Sequence, residues 1–91
     1  MKNQVGSHKT NVTMDNNVLM VAYHNTPVVK VTDTEITLNT GGWYTATTKR
    51  RMNQASLSYG LGFAVYQVNH SWYIDYKGDT IPFEDNIILK R

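Results

Sequence analysis

Lys49, Arg50 and Arg51 stand side by side, with Asn53 and Gln54 just beyond them, and this set could contact a nucleic acid. Cations pair with phosphates, while side-chain amides match the donor and acceptor edges of bases. From Ile36 through Ile74 there is no Asp or Glu, so the triplet meets no opposing charge along that part of the chain. Three phosphate contacts give a salt slope of only about −2 to −3, a weak basis near physiological salt unless an oligomer multiplies it. The plainer reading is a solvated helix face that happens to use basic residues.

A second candidate is the glycine turn just before the triplet. Gly41-Gly42 can expose backbone amides at a helix N-terminus, where a phosphate or carboxylate is favoured, and Thr45, Thr47 and Thr48 add hydroxyl donors. A nucleotide-triphosphate loop needs Lys followed by Ser or Thr, and Lys49 is followed by Arg50, which argues against that chemistry. The competing reading makes Gly41-Gly42 a strand-to-helix corner with Trp43 plugging the core.

Aromatic residues are the third. Trp43, Tyr44, Trp72, Tyr73 and Tyr76 exceed what a small core must use, and exposed rings such as Trp72 or Tyr76 could stack on bases or dock on a protein. The segment from Tyr59 to Tyr66 matches the RNA-recognition octapeptide at Gly60, Gly62, Phe63 and Tyr66, but departs from it at Tyr59, Leu61 and Ala64. Gly60 and Gly62 follow a helix and enter a strand, the reverse of a dinucleotide loop.

Catalytic chemistry has little to stand on. His8, His24 and His70 are scattered without metal-ligand spacing, and Asp75, Asp79 and Glu84 read as a solvated rim. No serine sits in a nucleophile elbow. The expectation is a protein that is not an enzyme, with no catalytic residue, metal or cofactor.

These candidates need elements to hold them. Residues 1–17 are polar and read as a flexible N-terminal arm or an edge strand, and residues 18–91 as a single α+β domain. The run from Val18 to His24 has strand length, with a turn predicted at Asn25-Thr26-Pro27 before Val28 to Val31. Ile36 and Leu38 alternate with Glu35 and Thr37 in a third strand. Thr45 is placed to cap a helix over 45–59, ended by Gly60. On its wheel Tyr44, Thr48, Met52, Ala55 and Tyr59 share one arc, Lys49, Arg50, Asn53 and Leu57 lie opposite, and Arg51 takes a flank with its guanidinium accessible. Phe63 to Val68 offers large side chains to both faces, which predicts a central strand. Trp72 to Lys77 alternates with period two, Pro82 points to a sheet edge, and Ile87 to Leu89 closes the chain. The fold class expected is α+β, a mostly antiparallel sheet of about six strands with one central helix.

Ninety-one residues make one domain, small for a substrate cleft plus a catalytic shell. There is no cysteine, which suits a reducing compartment, and the start has no apolar run of a signal peptide. No stretch approaches the roughly 20 apolar residues that span a bilayer. A net charge of +2 with its cations focused favours a local anionic contact over general coating of nucleic acid.

The string Gly41-Gly42-Trp43-x-Thr45-x-Thr47-Thr48-x-x-Arg51-Met52-Asn53, ahead of two aromatic strands, resembles short proteins encoded by bacteriophages and prophages. The likeness covers residues 18 to 89 and implies an origin more than a function. It places the protein in a host cytoplasm, where such domains bind host proteins or phage DNA. Two expectations follow. One is a non-enzymatic binding protein that contacts DNA or RNA through Lys49, Arg50, Arg51 and Asn53, with Gly41, Gly42, Thr45 and Thr47 as an auxiliary anion site. The other is a protein-interaction module that modulates a host protein through its aromatics or its acidic C-terminal rim. Either accommodates a homo-oligomer, since exposed strand edges invite pairing.

Overall fold

A computed structural model describes residues 10–91; the first half of the expected N-terminal arm, including His8, lies outside them. The chain runs β1 (Thr10–Asp15), β2 (Val18–Tyr23), β3 (Thr26–Val31), β4 (Glu35–Leu38), α1 (Ala46–Tyr59), β5 (Phe63–Val68), β6 (Ser71–Tyr76), β7 (Asp79–Pro82) and β8 (Ile87–Lys90). The expected α+β class holds, with eight strands among the described residues in place of about six and two antiparallel sheets in place of one. One sheet has the order β1-β2-β3-β4-β8, the other β5-β6-β7. Both extra strands are edges: β1 takes the edge-strand alternative for part of the arm, and β7 carries Pro82 where no ladder bond is lost.

Tight turns set the registers. Asn16-Asn17, His24-Asn25, Asn69-His70 and Lys77-Gly78 all have positive φ, as two-residue hairpins require. The turn expected at Asn25-Thr26-Pro27 therefore falls one residue earlier, at His24-Asn25, because asparagine tolerates positive φ and proline cannot adopt it. Pro27 enters β3 instead. There the register shifts from Val21↔Val29 to Ala22↔Pro27, a bulge that leaves Val28 as the extra residue.

Helix α1 begins and ends where its cap residues dictate. Thr45 has φ −120° and ψ 162°, and its hydroxyl accepts from the amide of Thr48, while Gly60 closes the helix at φ 64° and ψ 39°. Thr48, Met52 and Ala55 are buried as the wheel requires, against a core that joins Val21, Val29 and Ile36 of one sheet to Val65, Trp72 and Ile74 of the other. Leu57 stays on the solvent side, 86% exposed. Tyr44 departs from its arc: it precedes the helix and is exposed.

Strand β5 is an edge, not the central strand its two-sided pattern predicts. Its outer edge is met by α1. Asn53 Nδ2 donates to Val65 O at 2.9 Å and Asn53 Oδ1 accepts from Val65 N at 2.8 Å. Ser56 Oγ donates to Phe63 O at 2.6 Å and accepts from Phe63 N at 3.0 Å. Helix positions i and i+3 thus stand in for a neighbouring strand and satisfy backbone groups that would otherwise lie bare.

Candidate functional site

Between the outer side of α1 and the β5–β6 hairpin runs an open groove of about 820 Å³. The helix contributes Lys49, Arg50, Asn53, Gln54 and Leu57 to it. The hairpin contributes Tyr66, Gln67, Asn69 and His70. Among the described residues, no carboxylate lines it. Lys49 is half-buried, its Nζ donating to Gln67 Oε1 at 2.8 Å and lying 5.2 Å from the centre of the Trp72 ring. Arg50 is exposed. The groove therefore pairs one cation fixed against its wall with one that can move to a ligand.

The basic triplet does not act together, because consecutive helical residues point about 100° apart. Arg51 turns inward and is only 8% exposed, which corrects the expectation of an accessible guanidinium. Its Nε donates to Thr10 Oγ1 at 2.9 Å, its Nη1 donates to Gln54 Oε1 at 3.2 Å, and the group sits 5.9 Å from the Tyr23 ring. β1 and β2 enclose it. Asn53 lines the groove, yet its amide is engaged by the Val65 backbone and so is not poised for a base edge.

The glycine turn is also occupied from within. Asn39 Oδ1 accepts from Gly41 N, Thr40 Oγ1 accepts from Gly42 N, and Thr40 O accepts from Trp43 N. The carboxylate that this corner holds is the protein's own: Asp85 Oδ1 accepts from Thr40 N at 2.7 Å and from Thr40 Oγ1 at 2.8 Å. Thr45 serves as the helix cap, and Thr47 is half-buried in the first turn. Gly41 has φ +62°, and a Cβ there would stand 2.5 Å from Thr26 Cγ2, so this position needs glycine for conformation and for space.

Trp72 and Tyr76 are buried, contrary to their expected exposure. Trp72 packs edge-on against Tyr44 and Phe83, and the Tyr76 hydroxyl donates to Lys90 O at 3.0 Å. The more open rings are others. Trp43 does not plug the core; it is 47% exposed and stacks on His24 with centroids 5.1 Å apart, beside Tyr44 at 52%. Tyr66 and Tyr73 are half-buried cross-strand partners, their centroids 5.9 Å apart. A sequence signal for Tyr73 exists. In β6, Tyr73 shares its face with Asp75, whereas Trp72 shares the other with Ile74, so the charged alternate marks the outward side.

Among the described residues, no group of three or more His, Asp or Glu comes together that could hold a metal ion. Among the described residues, too, no helix is long and apolar enough to cross a membrane. The chain matches the model of the Kyanoviridae Gp96 protein family over residues 1–90 and belongs to that family of phage proteins. No curated protein and no solved structure matches it.

Proposed function

We propose that this phage protein is a small, non-enzymatic binding protein that contacts nucleic acid through Lys49 and Arg50 in the groove beside α1, acting in the host cytoplasm. The observation that carries the reading is the convergence of both cations with Gln54, Gln67, Asn69 and His70 in one open groove, where no carboxylate among the described residues would repel a phosphate. Arg51 and Asn53 are reassigned to support: one holds β1 to the helix, the other closes the β5 edge.

Two phosphate contacts give a log–log salt slope of about −1.4 for a single strand or about −1.8 for a duplex. The test is fluorescence anisotropy of labelled oligonucleotides at two salt concentrations, with wild-type protein and the Lys49→Ala/Arg50→Ala variant. Binding that weakens with salt at this slope and vanishes in the variant is the expected result. Flat curves at high protein concentration overturn the reading.

The second reading, a module that modulates a host protein, is favoured by the exposed Trp43 and Tyr44 beside His24. The acidic rim offers it less, since Asp85 is tied to Thr40 and Asp75 accepts from Tyr66 and Thr80. On this reading Trp43→Ala abolishes retention of a specific host protein that the wild-type chain retains from lysate, while Lys49→Ala/Arg50→Ala does not.

A further inference from the structure

We infer that the ligand of the groove is single-stranded, its phosphates on Lys49 and Arg50 and its bases stacked over Tyr66 and Tyr73 on the outward face of the β5–β6 hairpin. This rests on the nucleic-acid reading of the groove and adds the strandedness and the residues that impose it.

Tyr66 belongs to both surfaces, because it lines the groove and pairs across the strands with Tyr73. The two half-buried rings lie 5.9 Å apart and are tilted by 31° to one another, so they form an aromatic pair that starts at the groove wall. The Tyr66 hydroxyl donates to Asp75 Oδ1 at 2.9 Å, and Thr80 Oγ1 donates to the same oxygen at 2.8 Å, which fixes the Tyr66 ring in place. Asp75 also gives the surface a direction. Its carboxylate repels phosphate at the far side of the rings, while Lys49 and Arg50 attract it on the near side. A strand lying along the groove is thus guided with its backbone toward α1 and its bases toward the tyrosines.

Two other occupants fit less well. A peptide would normally gain affinity along such a groove by adding a strand to β5, but the outward backbone groups of Phe63 and Val65 are engaged by Ser56 and Asn53, so the ladder cannot form at those two residues. A duplex keeps its bases stacked on each other and could use the two cations but not the rings. Base stacking on aromatic side chains is indifferent to base identity, so the preference expected is for single strands over duplexes, not for a sequence.

The test uses wild-type protein with an oligothymidine strand, an abasic strand of equal length and a duplex, alongside a Tyr66→Leu/Tyr73→Leu variant and its Tyr66→Phe/Tyr73→Phe counterpart. Oligothymidine is expected to bind about 5-fold or more tightly than the abasic strand for each base stacked, and more tightly than the duplex. The Leu variant loses that margin and the Phe variant, which keeps the rings, retains it. Equal affinity for the thymidine and abasic strands, with Lys49→Ala/Arg50→Ala still abolishing binding, overturns the stacking inference and leaves the nucleic-acid reading standing. No binding to any of the three ligands removes both. The abasic comparison needs no variant, so a Leu variant that fails to fold does not blunt the test.

Discussion

Asn53 carries an amide suited to a base edge, yet both ends of that amide are engaged by the backbone of Val65. Asn53→Ala strips a partner from each of two backbone groups on the β5 edge, and a loss of about 1–3 kcal/mol of stability is expected in urea unfolding. An unchanged unfolding midpoint with weakened oligonucleotide binding would instead return Asn53 to the ligand. Gly41 is the other residue whose role is conformational. Gly41→Ala combines φ +62° with a 2.5 Å approach to Thr26, whereas Gly42→Ala meets strain at φ +91° but no atom within 4 Å. The first is expected to cost more than the second, by about 1 kcal/mol or more, and Thr26→Ser, which removes the closest atom, is expected to recover part of the difference. Equal losses at Gly41 and Gly42 would show that the contact with Thr26 is unimportant.

Helix α1 could be located from the chain alone because its limits are local events: a threonine hydroxyl within reach of the amide three residues on, and a glycine free to turn left-handed. Thr45→Ala is expected to cost about 1 kcal/mol. For a domain of this size that lowers the melting temperature by about 4–8 °C, measurable by circular dichroism. What α1 does for its neighbours was not legible. The bonds from Asn53 to Val65 and from Ser56 to Phe63 join polar side chains to a strand edge, and no hydrophobic period records them. That is why β5, rich on both faces, reads as central and is not. The faces of β6 were legible as alternation, but choosing the outward one required giving Asp75 more weight than the bulk of Trp72. Arg51 departs from its expected exposure for a related reason: its flank position agrees with the wheel, but the enclosing wall is β1, drawn from a polar segment with no sustained period.

At the scale of the whole molecule, the pairing of β8 with β4 brings the end of the chain back to the larger sheet, and Asp85 ties the β7–β8 loop to Thr40 across 45 positions of sequence. Division of the strands into two sheets depends on such distant pairings, which leave no trace in local pattern; the α+β class depends only on which elements exist, and it was readable. The acid-free stretch from Ile36 to Ile74 was readable too, and the fold concentrates its cations by setting Lys49 and Arg50 against the β5–β6 hairpin while withdrawing Arg51. Net charge is +2, so removing any two cations gives a formal charge of 2 − 2 = 0. If charge as a whole drove binding, Lys30→Ala/Lys77→Ala would weaken oligonucleotide affinity as much as Lys49→Ala/Arg50→Ala does, since Lys30 and Lys77 are exposed cations outside the groove. The geometry leads to the opposite expectation. Contact with phosphate releases counterions only where the cation meets it, so the groove variant is expected to lose binding and the distant variant to keep it, with the slope of about −1.4 nearly unchanged in a single-strand titration. Parallel losses in the two variants would mean that the protein's field, not this groove, attracts the strand.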